Sequence, residues 1–175
     1  VLLLTAMLTL GLTAGEKEFS KGSQYLTAQV GFNSYAMPFG ANFEYALTEN
    51  IGIGGTVMMQ FWSEDWGFAG YNYGYSCTLI TPSVEGAYHF VGLDADKLDV
   101  FAGAALGFSI YSVSWKDSWG GDSADTGSSS LYLSPFIGGR YYVSDKMAIS
   151  AKLNFSAIGD FNGVGGTVGL TFRLK

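Results

Sequence analysis

From Gln24 to the end of the chain, apolar and polar residues alternate with a period of two, which is the repeat of a β-strand with one apolar face. In the first such stretch, residues 24–33, one face carries Leu26, Ala28, Val30 and Phe32. The alternation recurs in stretches that begin at Met37, Ile51, Ile80, Leu98, Leu131, Met147 and Val164. The pattern predicts an all-β protein with eight strands of about ten residues each.

The connections between the predicted strands alternate in length. Residues 48–50, 91–97 and 144–146 form compact turns, whereas residues 62–75 and 113–130 have the composition of long loops. That alternation is typical of an antiparallel barrel in an outer membrane, where short turns face the periplasm and longer loops face the outside. The sequence therefore predicts an eight-stranded antiparallel up-and-down transmembrane β-barrel with both termini in the periplasm.

Pro82 interrupts the fourth predicted strand. The apolar residues on either side of it, Ile80 and Val84, keep the alternation. A proline has no backbone N–H and cannot donate to the ladder of a sheet. The sequence therefore predicts a bulge or a locally broken pairing at this position.

Aromatic residues gather near both ends of the apolar faces. Near the outer ends lie Phe32, Phe39, Phe61, Phe108 and Phe155, and near the inner ends lie Tyr45, Tyr88, Phe90, Tyr141 and Phe172. Aromatic side chains favour the headgroup level of a bilayer, so two girdles indicate an apolar face in contact with lipid. The alternative is a soluble lipocalin-like barrel, whose apolar face would point inward and leave outside Gln29, Glu44, Glu85 and Lys152.

The first residues of the chain have the character of an export segment. Residues 1–14 hold no charge and run into small side chains. We expect residues 1–15 to be a signal peptide that has lost its basic region, residues 16–23 a short periplasmic segment and residues 24–175 the barrel. A membrane anchor or a buried helix is the alternative, although the run is short for a hydrocarbon layer of roughly 30 Å.

Composition argues against several classes of function. Charged residues make up 14% of the chain and the formal net charge is -6. Because no basic cluster is available to neutralise phosphates, we expect no nucleic-acid partner. Cys77 is the single cysteine, so neither an intrachain disulfide nor a thiolate metal cluster can form. We expect no cofactor and no metal site.

Four charged residues fall on the polar faces deep within the predicted strands: Glu44, Glu85, Arg140 and Lys152. The interior of an eight-stranded barrel is just wide enough for side chains, and an isolated buried ion is costly. We therefore expect the two acids and two bases to pair in a neutral network that plugs the lumen. In the alternative they line a proton or ion path, and the protein is a narrow porin-like transport pore.

His89, the single histidine, lies at the periplasmic end of the fourth predicted strand, on the lumen face. A barrel hydrolase needs a nucleophile and a base within hydrogen-bond reach, and the sequence places no serine and carboxylate around this ring. We interpret His89 as an interior polar residue and expect no enzymatic activity. Modification of lipid A is a remote alternative.

The two long segments, residues 62–75 and 113–130, combine aromatic and acidic residues. The candidate interaction surface comprises Trp62, Trp66, Phe68, Tyr71, Tyr73, Trp115, Trp119, Asp117, Asp122 and Asp125. Tryptophan and tyrosine anchor many interfaces, which favours recognition of an extracellular ligand or protein. Alternatively, the tyrosines from Tyr71 to Tyr75 continue a strand above the membrane, and the tryptophans rest in headgroups. The acids also suit cations that bridge lipopolysaccharide, although calcium-loop spacing is absent.

Residues 20–175 resemble the small outer-membrane barrel family that includes the OmpX-like proteins and the OmpA transmembrane domain. The resemblance rests on the strand pattern rather than on a catalytic signature. In that family the last residue is often aromatic, whereas here Phe172 lies three residues before the end. We expect a monomer in contact with outer-membrane lipid and lipopolysaccharide, with an envelope-structural or surface-interaction role.

Overall fold

The computed structural model describes residues 19–32, 37–68, 71–91, 97–117, 126–156 and 163–175. Its strands are β1 (Gln24–Phe32), β2 (Phe39–Ala46), β3 (Ile51–Phe68), β4 (Tyr71–His89), β5 (Leu98–Asp117), β6 (Thr126–Ser144), β7 (Met147–Ser156) and β8 (Gly163–Arg173). Each strand pairs antiparallel with the next, and β1 pairs with β8, so the sheet closes. The predicted eight-stranded antiparallel barrel is confirmed. The predicted signal peptide, residues 1–15, lies outside the described residues.

Chain direction gives the barrel two different ends. The terminal end holds the start of β1, the end of β8 and the turns at residues 47–50 and 145–146. At the opposite end, which we call the extended end, β3 to β6 extend farther than the other four strands. These four strands have 18 to 20 residues, whereas β1, β2, β7 and β8 have 8 to 11. We call the parts of β3 to β6 that extend beyond the other strands the tall wall, which comprises residues 60–68, 71–79, 110–117 and 126–135.

The tall wall corrects the predicted loops 62–75 and 113–130, because their described residues, 62–68, 71–75, 113–117 and 126–130, belong to strands. β3 and β4 pair as far as Phe68 and Tyr71, and β5 and β6 form a second long hairpin beside them. The loop prediction rests on the composition of the two segments, but a hairpin with water on both faces does not need a regular apolar face. The alternative interpretation, that the tyrosines from position 71 continue a strand, is confirmed.

The exterior of the barrel is apolar and its interior is polar. Leu26, Val57 and Val84 point outward with exposed fractions of 40%, 48% and 65%, whereas Thr27 and Thr56 are buried. A band of apolar side chains on the outside of a closed sheet is the arrangement that lipid solvates. Among the residues described, no helix has the length and apolar character of a membrane span. The lipocalin-like alternative does not fit, because the lumen is lined by Gln29, Glu44, Glu85 and Lys152.

Both predicted aromatic girdles lie on the outside of the barrel. Nine of the ten residues are exposed, with exposed fractions from 36% for Tyr45 to 56% for Phe32, and Tyr141 is half-buried. Some of these rings also contact each other, as Tyr88 and Phe90 do with centroids 5.3 Å apart. The girdles mark the two edges of the apolar band, where aromatic rings meet lipid headgroups.

The pairing of β4 with β5 is interrupted at Pro82. The ladder reaches the pair Ile80 and Ile110 and resumes at Ser83 and Gly107 without a change of register. The predicted local break is confirmed, because a proline cannot supply the N–H that the ladder needs there.

Candidate functional site in the barrel interior

The half of the lumen nearer the terminal end holds four ionisable side chains from four strands. Arg140 of β6 donates through Nη2 to Glu44 Oε2 of β2 at 2.6 Å, and its Nη1 lies 3.6 Å from Asp99 Oδ2 of β5. His89 of β4 bridges the two acids, because its Nε2 lies 2.9 Å from Glu44 Oε1 and its Nδ1 lies 2.9 Å from Asp99 Oδ1. We call these four residues the terminal-end cluster.

The terminal-end cluster is sealed from water. The side chains of His89 and Asp99 are fully buried, and those of Glu44 and Arg140 are 9% and 4% exposed. When both carboxylates are ionised they only accept hydrogen bonds, so both ring nitrogens of His89 then donate and the ring carries its second proton. Two negative and two positive charges then balance, which is the condition under which ions persist in a low-dielectric interior.

Aromatic rings cover the cluster on its terminal side. Phe19, which precedes β1, stacks on the ring of His89 with centroids 3.5 Å apart and an interplanar angle of 10°. The guanidinium of Arg140 lies 4.4 Å from the centre of the Tyr25 ring, and Tyr142 joins Phe19 and Tyr25 in one buried cluster. Cation–aromatic contacts strengthen where water is excluded. Side chains therefore fill the lumen at its terminal end.

Glycines inside the barrel provide the space that these side chains occupy. A Cβ at Gly52 would collide with the carboxylate of Glu44. A Cβ at Gly138 would lie 2.6 Å from the ring of Phe101, which is closer than side chains tolerate. Both large groups thus lie over a glycine of a neighbouring strand, and side chains pack closely around the terminal-end cluster.

A second ion pair lies nearer the middle of the barrel. Lys152 of β7 donates to Oε1 and Oε2 of Glu85 on β4 at 3.0 and 2.9 Å. Thr56 and Asn42 donate to the same carboxylate at 2.7 and 3.1 Å. The ammonium group also lies 4.5 Å from the centre of the Phe136 ring. Both oxygens of Glu85 are therefore satisfied twice, and we call Glu85 and Lys152 the central pair.

On the side of the central pair that faces the extended end, the lumen widens into a cavity of about 130 Å³. Glu85, Lys152 and Phe136 form its floor, and its wall includes the apolar side chains of Met58 and Leu79. A smaller cavity of about 30 Å³ lies between the central pair and the terminal-end cluster. The interior thus has a filled base and a cup above it.

The four charges predicted for the lumen all lie inside the barrel, but they form two separate pairs. Sequence reasoning missed Asp99 and treated His89 as an isolated polar residue. A signal for Asp99 was present, because it alternates with the apolar Leu98 and Val100 and so belongs to the lumen face. Its contact with Arg140 follows from the β5–β6 register, which places the two residues directly opposite each other.

The geometry around His89 is that of a structural bridge. Both ring nitrogens face carboxylate oxygens, so neither is presented to a serine or cysteine. In the part of the chain that the structure describes, no group of three or more His, Cys, Asp or Glu residues is arranged to hold a metal ion.

The candidate interaction surface is described in part. Trp62 packs against Tyr111 with ring centroids 6.0 Å apart, and Trp115 packs against Tyr75 at 5.4 Å. By alternation along their strands, these four rings lie on the face of the tall wall that continues the lumen. The strands of the tall wall also contain Trp66, Phe68, Tyr71, Tyr73 and Asp117. Outside the described residues lie Trp119, Asp122 and Asp125.

Solved structures share this fold, whereas no protein-family model and no curated protein matches the chain. The N-terminal β-barrel domain of Pseudomonas aeruginosa OprF matches with a TM-score of 0.58 and 14% identity, over 88% of this chain and 98% of that one. OprG from the same organism matches with a TM-score of 0.59 and 9% identity, over 89% and 97%. Ail of Yersinia pestis matches with a TM-score of 0.55 and 14% identity, over 87% and 97%.

The closed sheet, the apolar exterior and these likenesses define a class. The chain has the fold of the small eight-stranded outer-membrane β-barrels. At identities of 9 to 14%, the likeness extends to the fold and leaves the activity to be argued from this chain's own residues.

Proposed function

We propose that this protein is a non-enzymatic barrel of a bacterial outer membrane and that its tall wall binds an extended segment of another protein. In this proposal the terminal end faces the periplasm and the extended end faces the outside. The observation that carries the proposal is the tall wall itself. Its four strands extend beyond the low rim, which is formed by β1, β2, β7 and β8. The two outer strands of the tall wall, β3 and β6, have edges without a described partner.

The two edges of the tall wall differ in chemistry. The described pairing of β3 with β2 stops at Met59, and that of β6 with β7 starts at Phe136. Beyond these points the β3 edge carries the exposed acids Glu64 and Asp65, whereas the β6 edge carries the small exposed residues 127–129. A strand edge offers N–H and C=O groups to a further strand, and small uncharged side chains let a second backbone approach. We assign the docking edge to β6.

The filled lumen supports a surface role over the alternative of a transport pore. The terminal-end cluster and the central pair occupy successive levels of the lumen, and the cavity between them is about 30 Å³. That volume is close to the space of a single water molecule, so a continuous aqueous path has little room. We therefore assign the function of the protein to the extended end.

One structurally similar protein was solved with a ligand that is not a protein segment. Ail of Yersinia pestis is described in complex with the heparin analogue sucrose octasulfate. The present chain has a formal net charge of -6, and its tall wall exposes Glu64 and Asp65. Like charges across an interface disfavour binding, so these acids argue against a polysulfated ligand and for pairing with a protein segment.

The proposal is tested by blocking the β6 edge with proline. Successive N–H groups of a strand point to opposite sides, so one of the variants Ser128→Pro and Ser129→Pro removes an N–H from the open edge. Peptides are selected from a displayed random library against the protein in lipid nanodiscs, and their affinities are then measured for both variants. We expect the open-edge variant to weaken binding by at least about tenfold.

Asp145→Ala, in the exposed turn at the terminal end, is the matched control and should bind like the unchanged protein. Peptides that tolerate both prolines, or a library that yields no binder of the tall wall, would refute edge pairing. Heat-modifiable gel mobility of protein extracted from outer membranes tests the membrane location separately.

A further inference from the structure

Among the described residues, the cavity above the central pair has the shape of a cup that opens toward the extended end. Its floor is formed by Glu85, Lys152 and Phe136. At the low rim it reaches Phe32, where β1 ends, and Gly163, where β8 begins. A molecule therefore enters from the extended end, and the filled base stops it from passing through.

The charge of the cup selects against ions. Its charged lining residues are Glu85 and Lys152, which bind each other through two hydrogen bonds. Thr56 and Asn42 complete the hydrogen bonding of the carboxylate. A charged guest would have to break this pair or remain uncompensated in a partly dehydrated space, and both are unfavourable. The cup is therefore suited to an uncharged guest.

The wall of the cup combines two kinds of surface. Met58, Leu79 and Phe136 give it an apolar side, and the hydroxyl groups of Ser83 and Ser109 line it as well. A pure hydrocarbon would leave these hydroxyl groups without water or a partner, whereas a sugar would leave the apolar side chains uncovered. An amphiphile with one ring or short chain and one hydroxyl group satisfies both surfaces.

The approach to the cup is lined with aromatic rings. Trp62 packs against Tyr111, and Tyr75 against Trp115, with tilted rings on the face of the tall wall that continues the lumen. Trp115 is 47% exposed, so part of this aromatic surface is open. Such surfaces favour planar apolar groups, which bind to them by stacking. A molecule with an aromatic ring can therefore contact these side chains as it approaches the cup.

We propose that the cup is a binding site for small uncharged aromatic alcohols. The cavity of about 130 Å³ is similar in size to an engineered apolar cavity of roughly 150 Å³ that holds benzene, so a single ring with a hydroxymethyl group fits. The ring lies against Met58, Leu79 and Phe136, and the hydroxyl group replaces water at the serines. This site is independent of the β6 edge, and either proposal can fail without the other.

Benzyl alcohol is the probe, and benzoate and benzylammonium are its charged analogues. Binding to the barrel in lipid nanodiscs is followed by backbone amide chemical shifts, with empty nanodiscs to measure partition into lipid. We expect saturable binding of benzyl alcohol, with shifts at residues of the cup, and affinity weaker by at least about tenfold for either ion.

Ala105→Phe fills the cup from β5, whereas its neighbour Ala104 faces outward and Ala104→Phe serves as the matched control. We expect the first variant to lose about tenfold or more in affinity for benzyl alcohol and the second to stay within about twofold. If Ala105→Phe does not fold, Ser109→Leu fills the same space from the same strand. Binding that survives a folded cup-filling variant, or that does not exceed partition into empty nanodiscs, would overturn the proposal.

Discussion

Single carboxylates in this barrel connect strands that share no backbone hydrogen bonds. Glu44 of β2 contacts His89 of β4 and Arg140 of β6, and neither of those strands neighbours β2 in the sheet. Glu85 of β4 likewise contacts Lys152 of β7. A contact across the lumen fixes the distance between opposite walls, which the backbone ladder alone leaves adjustable. The buried ions therefore contribute to the shape of the barrel as well as to filling it.

Gly52→Ala tests how closely the interior is matched to these ions. The added methyl group would occupy the space of the Glu44 carboxylate and displace it from Arg140 and His89. We expect a loss of about 1–3 kcal/mol in the free energy of unfolding, measured in denaturant with the barrel in lipid vesicles. Gly86→Ala is the control, because a Cβ there meets open space. Equal losses in the two variants would contradict the steric account.

Alternation of faces was enough to place the four lumen charges inside, because each lies on the polar side of a strand. Which acid pairs with which base could not be predicted from the sequence. Glu44 and Arg140 are 96 positions apart, and whether they meet depends on the tilt and register of strands on opposite walls. The roles of His89 and Asp99 were missed for the same reason, because each side chain makes its contacts with residues of other strands.

The strands themselves were predictable where lipid surrounds them. One face of β1, β2, β7 and β8 must be apolar along nearly its whole length, so the alternation marks their positions to within a few residues. In the tall wall that constraint is absent, and stretches such as residues 126–130 contain glycine, serine and threonine. Backbone pairing maintains these strands without a sequence pattern that distinguishes them from loops.

Hydrogen exchange tests whether the tall wall is a sheet in the membrane-bound protein. Residues 73–79 of β4 and 110–113 of β5 have a paired strand on both sides, whereas the outer parts of β3 and β6 are paired on one side among the described residues. We expect amides of residues 73–79 and 110–113 to exchange more slowly than those of residues 60–68 and 126–135, because fewer of them face water. A synthetic peptide covering residues 60–79 is the unstructured reference. Exchange at the rate of that peptide throughout the wall would contradict the extended sheet.

The whole molecule is asymmetric in two directions. Along the barrel axis, the lumen passes from an aromatic cover at Phe19, through two levels of buried ions, to a cup that opens at the extended end. Around the axis, a wall of four long strands faces a low rim of four short ones. The filled base holds the buried ion pairs, whereas the cup and the tall wall, to which we assign recognition as a proposal, lie at the other end. Stability and recognition can therefore be altered separately by mutation.

Arg140→Ala tests whether the terminal-end cluster stabilises the barrel without being the sole block to conduction. Removal of the guanidinium leaves Glu44 and Asp99 with His89 as their remaining cationic contact, so we expect a loss of about 3–5 kcal/mol in the free energy of unfolding. Conductance in planar bilayers should nevertheless stay at background, because the central pair still fills the next level of the lumen. Lys146→Ala, in the exposed turn at the terminal end, should change neither quantity. Regular ohmic steps from Arg140→Ala would show that the terminal-end cluster alone closes the barrel, and a transport role would then have to be reconsidered.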